Sequence, residues 1–535
     1  MAEQKNTAPT QTEHNSRPLK IFAMEEGRLN MNAVGYAYLQ AQAELPGSAD
    51  FLGPWQARLA ATQRIERLPD GTLLVPPRLA PPPGDLLQHA LFALKHEGVR
   101  LDVLAACLPR LNPQSLVQAF QAAPNGVYIR KLCHLWEGLR GQPLPGLDNP
   151  GVAAAYAPLF DPDEWLTGPI RRDPRWRIDF NGLGDWTFCP QVRKTPALLA
   201  LLNQDVLGQA HAFAESVGQA MLDRAIHWAY LSETEGSLAI EGEAPSADKA
   251  ARFASVLRRA HEPRALTEEW LAELQNALIS TPWAQEMQFR TEQNRLQGAA
   301  LGAAGVSYVP PWPDLAVELM AGLMRLANQR PASLDVLAHA AVVSFTFVFI
   351  HPFMDGNGRL SRYLIHHCLG QSGRLPPPFL LPISVAMRKH EAHYLAALTA
   401  FSRPARQLCN VTWAGDEHYS YAWVDGAAAW FRYMDVTPGV EFVLAMAQAA
   451  LDVHLREEVA FLALFDRVKR HIDARYDLRG SDLATLIVTI HQNAGVLSNN
   501  RRKRFAEHVP AEVLDAIETT VQAALRGPLP EEDPS

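Results

Sequence analysis

The segment HPFMDGNGRLSR, His351 to Arg362, governs how the rest of the chain is read. It follows the most apolar stretch of the sequence, Val336 to Ile350, and precedes a helical pattern over 359–369. A helix that is apolar nearly all round belongs at the centre of a fold. The stretch is too short to cross a bilayer and carries His339 and Ser344, so a buried core helix is expected. The Gly-Asn-Gly turn, Gly356 to Gly358, sets backbone N–H groups at a helix N-terminus, which suits an anion. Arg359 and Arg362 lie three apart on one face of that helix, so both can reach the same anion. Two arginines and a backbone nest fit a polyphosphate better than a single carboxylate. Asp355 offers a hard oxygen to Mg2+, with phosphate oxygens and waters filling the other positions. His351 can accept a proton near neutral pH. Singly, each feature is ordinary: a His before Pro caps a helix, Gly-Asn-Gly turns, and paired arginines form a solvated face. Together in one short block they point to phosphoryl or nucleotidyl transfer.

Outward from this block the chain reads as nearly all α with one small β element. Ser333 is expected to cap the apolar helix, and Asp314 the one before it, whose Leu315, Leu319, Leu323 and Leu326 form a stripe. LTEEWLAELQNALI (266–279) predicts an amphipathic helix started by Thr267. Between them, QNRLQGAALGAAGVSYVPPWP predicts a short hairpin stopped at Pro310-Pro311. Residues 85–108 read as an amphipathic helix pair. The expected organisation is a disordered tail at 1–17, a mixed, mainly helical region at 18–195, and a helical segment at 196–260. A catalytic core at 261–405, a helical region at 406–525 and a tail at 526–535 complete it.

The chain has 535 residues, more than one ordinary core, and its 49 Lys+Arg against 57 Asp+Glu give −8. That balance argues against whole-chain affinity for nucleic acid or anionic membrane. RRDPRWRIDF (171–180) and RRKR (501–504) are therefore read as salt-bridged or solvated faces, and nucleic acid is not expected as a partner. Cys107, Cys133, Cys189, Cys368 and Cys409 are odd in number and widely spaced, which excludes a disulfide scaffold and a zinc ribbon and fits a reducing compartment. The first residues lack an apolar signal region, so a cytoplasmic protein without a membrane partner is expected.

The block at 351–362 resembles the Fic family signature, H-P-F-x-[DE]-G-N-G-R-x-x-R, and meets every fixed position. The resemblance implies a Fic-type all-α core with a small β-hairpin flap, flanked by N- and C-terminal mostly helical regions. It implies a protein adenylyltransferase: His351 deprotonates a Ser, Thr or Tyr hydroxyl of a target protein, which attacks the α-phosphate of ATP. Asp355 would hold Mg2+, Gly356, Asn357 and Gly358 would cradle the phosphates, and Arg359 and Arg362 would bind the β and γ groups. Gly358 favours AMP transfer, since the branch that phosphorylates its target has Lys at this place. Phe353 reads as a packing anchor. RTEQNRLQG (290–298) with SYVPP (307–311) resembles the flap that clamps the target by strand addition, through Asn294, Arg295, Leu296 and Gln297. Arg295 and Gln297 depart from the family's Q-N-W-I-G-G. Tyr394 resembles a tyrosine near the adenine, or is a helix-core aromatic, and Ser402 stands where Asn is often found.

SLAIEG, Ser237 to Gly242, resembles the family's inhibitory motif [ST]-x-x-x-E-[GN]. Ser237 and Glu241 are one helical turn apart, and Gly242 suits a helix end. The resemblance implies that Glu241 pairs with Arg362 and denies the guanidinium to the γ-phosphate. Other readings stay open: removal of AMP with help from Glu241, a non-enzymatic nucleotide-sensing regulator, or transfer of UMP or phosphocholine. The flanking regions read as surfaces for target recognition or for self-association into a homodimer.

Overall fold

The computed structural model describes residues 32–43, 56–242, 246–279, 285–415 and 418–527. The tails expected at 1–17 and, apart from its first two residues, at 526–535 lie outside the described residues.

The apolar stretch forms one helix, Val336–Ile350, buried at every position but Val348. Asp335 caps it, its carboxylate accepting from Leu337 N and Ala338 N, both at 2.9 Å. This corrects Ser333 as the cap. A carboxylate can take two of the orphan amide donors at once, whereas the Ser333 hydroxyl donates to Thr167 O at 3.3 Å. The preceding helix, Pro313–Asn328, starts after Trp312, so Asp314 lies in its first turn and is not its cap. Proline at the first helical position has no N–H to satisfy and a φ already set for a helix, which moves the start back. The stripe Leu315, Leu319, Leu323 and Leu326 is buried as expected. Thr267 does cap Glu268–Leu278, accepting from Trp270 N at 3.2 Å.

Around Val336–Ile350 pack Pro313–Asn328, Asn357–Gln371 and Thr437–Ala449. Their apolar cluster runs from Leu183 to Leu455, past residue 405. A second cluster holds Tyr36 to Cys189 with Ala429 and Tyr433, and a third holds Leu464 to Ala524. Polar contacts tie the segment 191–193 to 433–437: Gln191 Nε2 donates to Tyr433 O at 2.8 Å, and Arg193 N to Thr437 Oγ1 at 2.9 Å. Among the described residues no helix is long and apolar enough to cross a membrane. All five cysteines are free and buried.

The architecture is mainly α, but the single expected β element is corrected to four small sheets among the described residues. The expected hairpin pairs Leu296–Gln297 with Val306–Tyr308, antiparallel. Two sheets lie in the N-terminal region, with strands of two or three residues. Strands that short show no alternation to read. The fourth, Cys409–Trp413 with Tyr419–Trp423, interrupts the helices expected beyond 405. Its β-branched and aromatic residues carry the strand signal, and it packs beside the first hairpin through Val306, Val309 and Cys409. Several residues of the basic runs are paired within the chain: Arg172 with Asp179, Arg175 with Glu137, and Arg502 with Asp515 and Glu518.

Gly439 lets Thr437–Ala449 lie against the central helix, since a Cβ there would fall 2.4 Å from the Phe345 ring. Although alanine is the better helix former, Gly439→Ala should therefore lower stability by about 2 kcal/mol, as overpacked cores do. Urea unfolding followed by circular dichroism tests this, and an unchanged midpoint contradicts the close packing.

Candidate functional site

His351 ends the central helix in the left-handed region, φ 53° and ψ 59°, a conformation that costs a non-glycine residue free energy. The surroundings hold it there. Arg290 Nε donates to His351 O and Arg290 N to Pro352 O, both at 2.8 Å. Asn294 Nδ2 donates to Phe353 O at 3.0 Å. The Asn357 amide closes the loop from the other side, donating to Phe353 O at 2.7 Å and accepting from Phe353 N at 3.0 Å. Phe353 is fully buried, edge-on to Phe289 with ring centroids 5.5 Å apart. Arg290 also donates to Glu292 O and Pro311 O. Burial lowers this guanidinium to about 10, which leaves it charged at neutral pH. Arg290 heads the quoted flap stretch, yet nothing in the sequence distinguishes it from a surface arginine.

The His351 ring is also oriented. Its Nδ1 lies 3.1 Å from Val348 O, a contact that requires the proton on Nδ1 and leaves the Nε2 lone pair free to accept one. Burial pushes the ring down to about 4, Arg290 works in the same direction, and Glu241 and Asp355 oppose it. The neutral form therefore prevails at physiological pH.

Ser237 lies in the last turn of the helix Gln219–Ile240, with Glu241 at its C-cap and Gly242 in the left-handed region at φ 71°. The structure brings these residues to Arg362. Arg362 Nε donates to Ser237 Oγ at 2.7 Å, and Nη2 donates to Ser237 O at 3.0 Å and Glu241 Oε1 at 2.8 Å. The guanidinium is 2% exposed and the carboxylate 35%. Burial alone would lower the Arg362 pKa, but Glu241 reverses this and raises it above its ordinary value. Gly358 permits the approach: a Cβ there would lie 2.2 Å from Glu241 Oε1.

The helix Asn357–Gln371 begins two residues earlier than its pattern suggests, with Gly356 at its N-cap, φ 84°. Arg359 and Arg362 hold different partners. Arg359 Nη1 donates to Leu278 O at 3.4 Å, and Nη2 reaches Asp355 Oδ1 at 3.5 Å. Asp355 also accepts from Gly356 N at 2.6 Å, while 59% of its side chain stays exposed. One exposed carboxylate beside a backbone nest fits a Mg2+ that takes its other ligands from phosphates and water. Among the described residues no cluster of three or more His, Cys, Asp or Glu could hold a metal unaided. Tyr394 is buried, stacked on Phe442 at 5.5 Å, and Arg362 lies close enough to lower a hydroxyl pKa that burial raises.

In the flap, Asn294 is buried and turned to the signature loop. Arg295 lies over the Tyr419 ring at 3.7 Å, tying the first hairpin to the second. Gln297 Nε2 donates to Ala300 O at 2.7 Å, inside its own hairpin. Leu296 is exposed.

Residues 265–369 match the Fic/DOC family. A protein adenylyltransferase Fic of Drosophila virilis is 40% identical over 76 residues, 14% of this chain and 15% of that protein. A protein adenylyltransferase fic-1 of Caenorhabditis briggsae is 29% identical over 92 residues, 17% of this chain and 18% of that protein. The chain thus spans under a fifth of the length of these curated relatives. A Fic family protein structure from Desulfovibrio desulfuricans aligns at 20% identity and a TM-score of 0.37, covering 64% of this chain and 87% of that one. So low a score carries no part of the assignment, which stands on the sequence match and the intact signature. Residues 265–369 of this chain are a Fic/DOC family domain.

Proposed function

We propose that the chain is a protein adenylyltransferase that moves AMP from ATP to a Ser, Thr or Tyr hydroxyl of a target protein and is restrained by Glu241. One observation carries the reading: a neutral, oriented His351 shares a site with an arginine already taken by a carboxylate. Nε2 of His351 takes the proton of the target hydroxyl. The oxygen then bonds to the α-phosphorus of ATP, and the bond to the bridging oxygen breaks, releasing pyrophosphate. Mg2+ at Asp355 would supply charge neutralisation on the phosphates. The nest from Gly356 to Gly358 and the arginines bind and align them. With Nε held by Ser237 and Nη2 by Ser237 and Glu241, a γ-phosphate meets an Arg362 on which only Nη1 is open until Glu241 withdraws.

Three expectations follow from this chemistry, all read as transfer of label from ATP labelled at the α-phosphate onto the protein itself. Glu241→Gly should raise labelling by about tenfold or more, within the range of single-site regulatory couplings. If the Glu241 variant labels no faster than the parent, the restraint is wrongly assigned. Adding His351→Ala to that variant should reduce labelling by roughly a hundredfold or more, the usual contribution of a general base. Persistent labelling would remove His351 from the mechanism.

The third concerns pH. Protonation removes the base, so the rate should fall as pH drops through about 4, well below the ordinary imidazole value. Glu241 raises the His351 pKa, so the Glu241→Gly variant should not move this limb upward. Rates from about pH 3 to 8, with circular dichroism to exclude acid unfolding, give the midpoint. A midpoint near 6.5 would contradict a buried, neutral base.

A further inference from the structure

Glu233 and Ser237 on Gln219–Ile240, and Glu241 at its C-cap, follow one another at four-residue steps and so share a face. That face meets Arg362 and His366, themselves four apart on Asn357–Gln371. The two helices are joined by two rungs. The first is the contact of Ser237 and Glu241 with Arg362. The second is buried: Glu233 Oε1 lies 2.8 Å from His366 Nε2, with the carboxylate 1% and the imidazole 4% exposed. Ser384 completes it, its backbone N donating to Glu233 Oε2 at 2.7 Å and its hydroxyl donating to Oε1. Both carboxylate oxygens are therefore held, by donors from two different helices.

The backbone beside this node is built for close approach. A Cβ on Gly236 would lie 2.9 Å from Val385 N and 3.0 Å from Ser384 C. Glycine inside a helix costs about 1 kcal/mol relative to alanine. Here it lets Gln219–Ile240 sit against the backbone of Ile383–Lys389. Neither Glu233 nor Gly236 hydrogen-bonds to the signature loop, and Glu233 reaches Arg362 only through its charge.

We infer that Glu233, with His366 and Ser384, is a positioning residue that fixes the rotation and depth of this helix so that Glu241 reaches Arg362. Glu241 stands just beyond the last helical residue, two turns or about 12 Å along the axis from Glu233. A small rotation or slide at Glu233 therefore carries the Glu241 carboxylate off the guanidinium. The inference rests on the reading of Glu241 as a restraint.

The test is a double-mutant comparison by self-labelling from ATP, with Glu233→Gln and Gly236→Ala each made alone and in the Glu241→Gly protein. Glu233→Gln removes the charge and keeps the shape. Gly236→Ala removes nothing and pushes the helix away, so a folding failure of one variant leaves the other to decide. Each single variant should raise labelling on the order of fivefold or more, the lower end of typical coupling between sites. Neither should add anything once Glu241 is gone, a pattern that general loosening of the fold would not give. If Glu241→Gly activates but neither single variant does, the node does not position Glu241 and the inference is overturned. Activation of the same size in the Glu241→Gly background also overturns it, since the node would then act on the chemistry directly. Failure of Glu241→Gly itself to activate removes the restraint, and the positioning role with it.

Discussion

A guanidinium only 2% exposed must be neutralised inside the protein, and the site is organised around that demand. Removing such a charge from water costs several kcal/mol unless hydrogen bonds and an opposite charge replace the solvent. Arg362 receives both from one helix end, through the Ser237 hydroxyl and carbonyl and the Glu241 carboxylate. The pocket is consequently an anion site with an anion of its own. In the proposed reaction a phosphate group has to compete with a carboxylate that costs nothing to bring in. Under the proposed restraint, regulation is a matter of where one helix end sits.

The proposed base is held by a different device. His351 sits in a left-handed conformation at the end of the most buried helix. The strain is offset by donors converging on three successive carbonyls: Arg290 N and Nε on Pro352 and His351, and Asn294 and Asn357 on Phe353. These hydrogen bonds come from the flap side and from the signature helix, so the loop is fixed between two elements. The same burial that fixes the ring keeps it neutral. Packing and acid–base poise are one property here.

Much of this was legible in sequence because it is local. The signature is contiguous, the central helix is apolar all round, and the leucine stripe of Pro313–Asn328 has helical spacing. The pairing of Glu241 with Arg362 spans 121 positions and was reachable only through a resemblance. What stayed hidden was long-range or short in extent. Arg290 looks like any flap arginine until its three carbonyl partners are known. Glu233 and His366 lie 133 positions apart, with nothing in their neighbours to pair them. The hairpin at 409–423 carried a local strand signal, but helical patterns on both sides masked it. Ser333 and Asp335 are both good capping residues two positions apart, so the pattern alone does not choose between them.

Gly358 connects the restraint to the kind of chemistry the site can host. Its missing side chain is the space that Glu241 enters, since a Cβ would lie 2.2 Å from the carboxylate oxygen. Under the proposed mechanism the same space is next to the phosphates, because Gly358 lies in the first turn of the signature helix. A larger residue there would meet the restraining carboxylate before any nucleotide arrived. In this chain a residue longer than glycine at 358, lysine included, cannot coexist with Glu241 in its present position. Glycine at 358 and glutamate at 241 are thus two halves of one steric fit, on which the proposed restraint depends. The helix that carries Glu241 must arrive at the right depth for that fit, and the buried contacts of Glu233 and the close approach at Gly236 are placed where that depth is set.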